Sequence, residues 1–379
     1  MTPIQKKMQG RMQPTEVQQH LMHEHYWKLD DNFRRMEEFM LQTRGLTEFG
    51  HARTTFKTHL VGTFALCAAW GLPQAAARCG LFHTAYSGDL FRFCLFSSEK
   101  SEDRVKLRGV IGEEGERLVH LFGGIRRQCL METVYETGSI REINVIPWNR
   151  QGERELYRCD TVEVIGRDAA YILMVTVADY LDQLTGCNAW KDIYQVDADD
   201  QVMLWPGSGK PGVAFHWLMK LAKAAAPYLL TVPELFEKCT AAITEEDETK
   251  ARDSYWEVVR DDDMNTLSDK EKIEKLEVCL QLNRFVGEPH VLLAQIYFRN
   301  KQWEEAITHC KQGLVKMYAL CTAWDKRMPW NEWVAFTRIT WLRASRLVRG
   351  LPDFPRATNG LCRLEEMLDE IEDLERYAD

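Results

Sequence analysis

The longest apolar runs of this chain, Val61–Leu72 and Ala169–Ala178, fall in helical stretches that also carry an imidazole or a carboxylate. Thr55-Phe-Lys-Thr-His59-Leu-Val-Gly-Thr63 opens a helix from about Thr54 to Trp70. A second helix, Gln74–His83, ends on another histidine, and Met174-Val-Thr-Val-Ala-Asp179-Tyr-Leu-Asp182 sets an aspartate in a third. A buried imidazole or carboxylate is costly unless it is paired, hydrogen-bonded or bound to a metal. Any fold that buries these helices must find partners for His59, His83 and Asp179. Each taken singly is satisfied by a hydrogen bond inside a core; the three together are a metal-ligand set.

The rest of the composition narrows the class. With 379 residues, 45% of them hydrophobic and 28% charged, the chain has material for two or three soluble domains. The start, Met1-Thr-Pro-Ile-Gln-Lys-Lys-Met8, has no apolar segment after its lysines, so no secretory leader is expected. Neither apolar run reaches the roughly 20 residues that span a bilayer, so no membrane role is expected. Eleven cysteines are an odd number without a Cys-x-x-Cys pair, which fits reduced packing thiols and a cytoplasmic location. The net charge is −9, and Leu361–Asp379 carries eight acids against two arginines. With no basic stripe, nucleic acid is not an expected partner.

Along the chain, Val17–Thr43 has helical spacing of apolar residues, and about Arg104–Phe122 predicts one further helix. Glu132–Ile165 alternates weakly, which fits short strands or irregular structure, and Asp168 is placed to cap the helix carrying Asp179. Asp197–Gly212 is rich in Asp, Gly and Pro and predicts a boundary. Helices are expected over Val213–Ala225 and Pro233–Ala242, and solvated turns at Glu245–Asp247 and Asp261–Asp263. Ser268-Asp-Lys-Glu271 has capping-box spacing. The expected organisation is all-α: an N-terminal helical extension over 1–45, a helical domain over 46–200, a helical connector over 201–267 and a helical array over 268–379.

The C-terminal pattern resembles a tetratricopeptide repeat. Pro289-His-Val-Leu-Leu-Ala294-Gln-Ile-Tyr297, with Trp303, Ala306, Gly313 and Leu314, matches one unit. Leu276–Asn283 is similar to the second helix of an earlier unit, and Trp330–Leu347 to a diverged pair. Ala294 and Ala306 would let two helices approach closely, and the acidic stretch 361–377 would cap the array. The resemblance implies a protein or peptide partner held by residues 268–379.

The histidine and aspartate pattern resembles the HD-domain superfamily, all-helical and mostly metal-dependent phosphohydrolases. His59 matches the first histidine, His83 the histidine of the His-Asp pair, and Asp179 the distal aspartate, over roughly residues 50–185. The stretch Leu81-Phe-His-Thr-Ala-Tyr86 is similar to an HD-related group with Leu-Phe-His-Thr/Ser-x-Tyr. Where the His-Asp pair has its aspartate this chain has Thr84, so two-metal phosphoester chemistry is not what the resemblance implies. The remaining set, two histidines and a carboxylate, suits a single divalent metal: iron, zinc or manganese.

Two readings follow. In one, a degenerate HD-like domain and the repeats form an interaction scaffold with no metal. In the other, His59, His83 and Asp179 hold one metal, and Thr84 or Tyr86 touches the substrate or a water; the reaction is hydrolysis of a small phosphorylated molecule or an iron oxygenation. The polar stripe Thr55, His59, Thr63 suggests a lined cavity. His20, His23 and His25 lack zinc-helix spacing and read as a solvated face. Gly207-Ser-Gly-Lys210-Pro211 lacks the upstream glycine of a phosphate loop, and Cys79 reads as a packing thiol.

Overall fold

A computed structural model describes residues 14–43, 45–46, 49–51, 54–89, 94–140, 143–145, 162–164, 166–183, 214–264 and 266–353. The chain forms two compact units, one of Glu16–Glu245 and one taking in the chain from Glu246. The architecture is all-α apart from two minimal antiparallel ladders. The expected boundary at 197–212, the glycine-rich stretch 207–211 and the acidic stretch 361–377 lie outside the described residues.

The first unit begins with α1 (Glu16–Met22) and α2 (Phe33–Gln42), followed by the ladder of β1 (Gly50–His51) and β2 (Thr54–Thr55). The single helical span expected over 17–43 is thus divided, with a short 3-10 turn at Tyr26–Lys28 between its halves. Next come α3 (Phe56–Ala69) and α4 (Gln74–Phe82). Thr55, in extended conformation, caps α3 by accepting the Thr58 N–H at 3.2 Å. The stripe of Thr55, His59 and Thr63 is buried beyond its first member. Phe56, His59, Leu60, Val61, Thr63, Phe64, Leu66 and Cys67 are all buried, which makes α3 the central helix of the unit. The expected lining has a different job: Thr55 is the exposed cap, and the Thr63 hydroxyl donates to the His59 carbonyl one turn back at 3.1 Å.

The expected helix over 104–122 is two, α5 (Ser101–Ile111) and α6 (Glu113–Gly124). Gly112 separates them at φ +83°, a conformation that side chains with a Cβ rarely adopt. Then follow α7 (Arg127–Thr137) and the antiparallel pair of β3 (Ile143–Val145) and β4 (Val162–Val164). The weak alternation of the sequence marks these two strands, while its first six residues belong to α7.

Helix α8 (Gly166–Gln183) packs against α3 and buries residues on all its sides. It begins two residues before Asp168, which is therefore not its cap. The Asp168 carboxylate sits in the first turn and accepts from Nη1 and Nη2 of Arg117, both at 2.8 Å. Helices α9 (Ala214–Ala225) and α10 (Glu234–Ala242) complete the unit, α9 packing on α8.

The second unit opens with α11 (Glu245–Met264), which runs through both acidic stretches expected as turns. Ala251, Tyr255, Trp256, Val258 and Val259 are buried along it, and this apolar face outweighs the exposed Glu245 and Glu246 at its start. Asp261 is itself buried and accepts the Leu267 N–H at 3.0 Å, securing the turn that follows. Helix α12 (Asp269–Leu282) starts with a complete capping box, Ser268 and Glu271. Helices α13 (Glu288–Arg299) and α14 (Trp303–Leu320) form a hairpin in which Ala294, Ala306 and Leu314 are buried, and α15 (Trp330–Val348) packs on both.

Candidate metal centre

His59 lies in the first half of α3, His83 directly follows α4, and Asp179 lies in the last turns of α8. The packing of α4 and α8 on α3 brings them together. Among the described residues they are the one group of three or more His, Cys, Asp or Glu whose ligand atoms all lie within 4.8 Å of one another. Asp179 Oδ1 is 3.2 Å from His59 Nε2 and 3.6 Å from His83 Nε2. Ligands on metal bonds of about 2.1 Å stand about 3.0–3.4 Å apart at octahedral to tetrahedral angles. All three residues are buried.

The other ring nitrogens decide what Nε2 can do. His83 Nδ1 lies 2.7 Å from the Gly80 carbonyl oxygen. A carbonyl only accepts, so Nδ1 carries the hydrogen and the neutral ring presents a lone pair at Nε2. Burial holds His83 neutral, pulling its pKa down to about 4 against the attraction of Asp179. Its Nε2 lone pair thus faces a carboxylate oxygen, acceptor against acceptor. A cation between them removes that conflict, so the donor set fits a metal.

His59 is held by a residue that sequence reasoning passed over. Its Nδ1 donates to Asp182 Oδ2 at 2.7 Å, one α8 turn beyond Asp179. A carboxylate behind a ligating histidine fixes its tautomer and raises its basicity. Gly62 makes room for this contact, since a Cβ there would overlap Asp182 Oδ1. Burial disfavours the charged ring, but the bonds to Asp179 and Asp182 outweigh it and raise the His59 pKa to about 9. Asp179 is likewise desolvated, yet His83, His59 and Arg127 hold it well below the usual carboxylate range. Gln183 Nε2 donates to Asp179 Oδ1 at 2.9 Å, and Arg127 Nη1 lies 3.5 Å from Oδ2.

Thr84 and Tyr86 divide. The Thr84 hydroxyl is buried next to His83 with no hydrogen-bond partner among the described residues. The Tyr86 hydroxyl donates to Glu116 at 3.0 Å, and Glu116 also binds Arg104 and Arg108, so this phenol is committed to a structural network. Cys79 is fully buried, and desolvation raises its pKa to about 12, as suits a packing thiol. The rings of His20 and His23 lie 6.2 Å and 5.6 Å from that of His25 without forming a ligand group.

Of these partners, Asp182 and Gln183 had a signal in the sequence: they follow Asp179 by three and four residues and so share its helix face. Arg127 lies on α7 and has no local pattern linking it to Asp179.

A family model described as a domain of unknown function, DUF6817, matches residues 40–127. That span contains His59, His83, Thr84 and Arg127 and stops before Asp179. No curated protein and no solved structure matches the chain. No helix among the described residues is long and apolar enough to cross a membrane.

Proposed function

We propose that the first unit is a mononuclear metal-dependent enzyme, with iron, zinc or manganese held by His59 Nε2, His83 Nε2 and Asp179 Oδ1. One observation carries this reading: His59 Nε2 and His83 Nε2 converge on Asp179 Oδ1, at 3.2 and 3.6 Å, while the His83 Nδ1 proton is taken by the Gly80 carbonyl. When bound, such a metal lowers the pKa of a water toward neutrality and polarises a substrate oxygen. The chain's own groups do the rest. Asp182 and the Gly80 carbonyl orient the two imidazoles. Phe122, whose ring centroid is 5.5 Å from that of His83, keeps water from that side. The Thr84 hydroxyl, which has no hydrogen-bond partner among the described residues, would serve a substrate oxygen or a water. By its resemblance to the HD superfamily, the reaction is hydrolysis of a small phosphorylated molecule; by ligand set, it is an iron-dependent oxygenation.

A second reading has its own observation. As an imidazolium, His59 is satisfied between Asp179 and Asp182 with no metal. The first unit is then a degenerate HD-like body, and the function lies in the tetratricopeptide-like hairpins over 268–379, which would hold a protein or peptide. Elemental analysis of protein purified without a chelating tag separates the two. The enzyme reading expects about one equivalent of metal, absent from His59→Ala and Asp179→Ala. No metal, and none taken up from added iron, zinc or manganese salts, leaves the scaffold. Phosphate release and oxygen consumption then distinguish the two chemistries.

A further inference from the structure

Arg127, the first residue of α7, is a buried cation at the candidate centre that the ligand set does not use; its side chain is 5% exposed. Its guanidinium stacks 4.1 Å from the Phe122 ring centroid. Nη1 lies 3.5 Å from Asp179 Oδ2, and Nε lies 3.6 Å from Oδ1 of Asp89, a side chain only 6% exposed. Charge-assisted hydrogen bonds run about 2.7–2.9 Å. Both contacts are longer, and neither Arg127 Nε nor Asp89 Oδ1 makes a hydrogen bond among the described residues. The guanidinium is therefore a charge set between two carboxylates, not a bonded fork. Asp89 is anchored from its other oxygen, which accepts the Gln128 N–H at 3.1 Å.

A second metal ion would stand in that same relation to the site. Paired ions in hydrolytic centres sit about 3.5–4 Å apart, and a carboxylate between them gives one oxygen to each. Asp179 is divided in this way: Oδ1 faces His59 and His83, and Oδ2 faces Arg127. Arginine remains charged at any working pH, so this cation does not dissociate.

We propose that Arg127 is the fixed second cation of the centre, its guanidinium filling, between Asp179 and Asp89, the place a second metal ion would take, so that the centre accepts one metal only. The inference rests on the metal-enzyme reading. It also accounts for a threonine at position 84: with the second charge supplied covalently, no carboxylate is needed there to hold another ion.

Manganese titration of the full chain, followed by electron paramagnetic resonance, tests this in the wild type and in Arg127→Lys, Arg127→Gln and the double variant Arg127→Gln with Asp89→Asn. The wild type and Arg127→Lys are expected to saturate at one ion with an uncoupled spectrum, even in excess metal. Arg127→Gln should take a second ion with an exchange-coupled spectrum, and the double variant should lose it. A coupled pair in the wild type, or a single ion in folded Arg127→Gln, overturns the role of Arg127 and leaves the single-metal centre standing. No metal in the wild type overturns both. Circular dichroism checks folding. Should Arg127→Gln not fold, saturation of the wild type decides: one ion in excess manganese supports the proposal and a coupled second ion overturns it.

Discussion

Asp182 Oδ2 and His59 Nδ1 meet at 2.7 Å over Gly62, the position on α3 where a side chain would occupy the carboxylate's place. The contact spans 123 residues of sequence and ties α8 to the central helix at the candidate centre. Two helices are thereby registered against each other by a charged bond as well as by apolar packing.

Loss of that bond should weaken the metal more than the fold. Asp182→Asn keeps the size of the side chain but removes the charge behind the imidazole, and Gly62→Ala displaces the carboxylate. Partners of this kind typically carry 10–100-fold in metal affinity. Both variants should show that loss in competition with a chromophoric chelator, with near-native circular dichroism. Unchanged affinity in Asp182→Asn would mean that His59 needs no second carboxylate.

Metal removal should lower thermal stability. A ligand at 100 times its dissociation constant adds about 2.7 kcal/mol to the state that binds it. For a unit of the size of Glu16–Glu245, that corresponds to about 5–10 °C in Tm. Calorimetry with and without chelator should show the shift in the wild type and none in Asp179→Asn. A chelator effect that persists in the variant would place the metal elsewhere.

The second unit should weaken as pH rises through neutrality. Glu288 is fully buried, and desolvation raises its pKa to about 7 although Oε1 accepts the Trp324 N–H at 2.6 Å. A folded pKa above the unfolded value, about 4.3 for glutamate, stabilises fully below that value. The gain is lost as pH climbs through about 7, and amounts to about 4 kcal/mol. Glu288→Gln keeps the acceptor oxygen without the titration. Urea melts from pH 4 to 8 should show a flatter stability profile in the variant. His290, pulled down to about 3 by burial, slopes the opposite way in both proteins and cancels from the difference.

Packing between α13 and α14 sets a fourth expectation. Ala294 and Ala306 are fully buried in this hairpin. Ala306→Leu should cost about 1–3 kcal/mol by overpacking, and Leu314→Ala about 2–5 kcal/mol by leaving a cavity. Urea denaturation measures both, and costs below about 0.5 kcal/mol, the usual range of surface changes, would remove the close approach as a source of stability.

The sequence made the three candidate ligand positions legible because an imidazole or carboxylate in an apolar helix has few physical outcomes. Asp182, Arg127 and Asp89 were harder to read for a definite reason: their roles depend on how α8 and α7 meet α3 and the Asp89 loop, and helix periodicity is silent on that. Local charge masks α11 in the sequence. Acids at both ends of a helix look like turns until the buried spacing of Ala251, Tyr255, Trp256 and Val259 is given its weight. Gly112 divided a helix that continuous periodicity had joined.

The ligands also arrive at different times. Asp179 follows His83 by 96 residues. At synthesis rates of about 5–20 residues per second, the histidine pair precedes its carboxylate by about 5–20 s. During that interval the growing chain offers two neutral nitrogens, a pair with little power to discriminate between metals. On the metal-enzyme reading, the choice of metal therefore belongs to the finished helical unit, and the ion captured would reflect what the surroundings hold once α8 has docked.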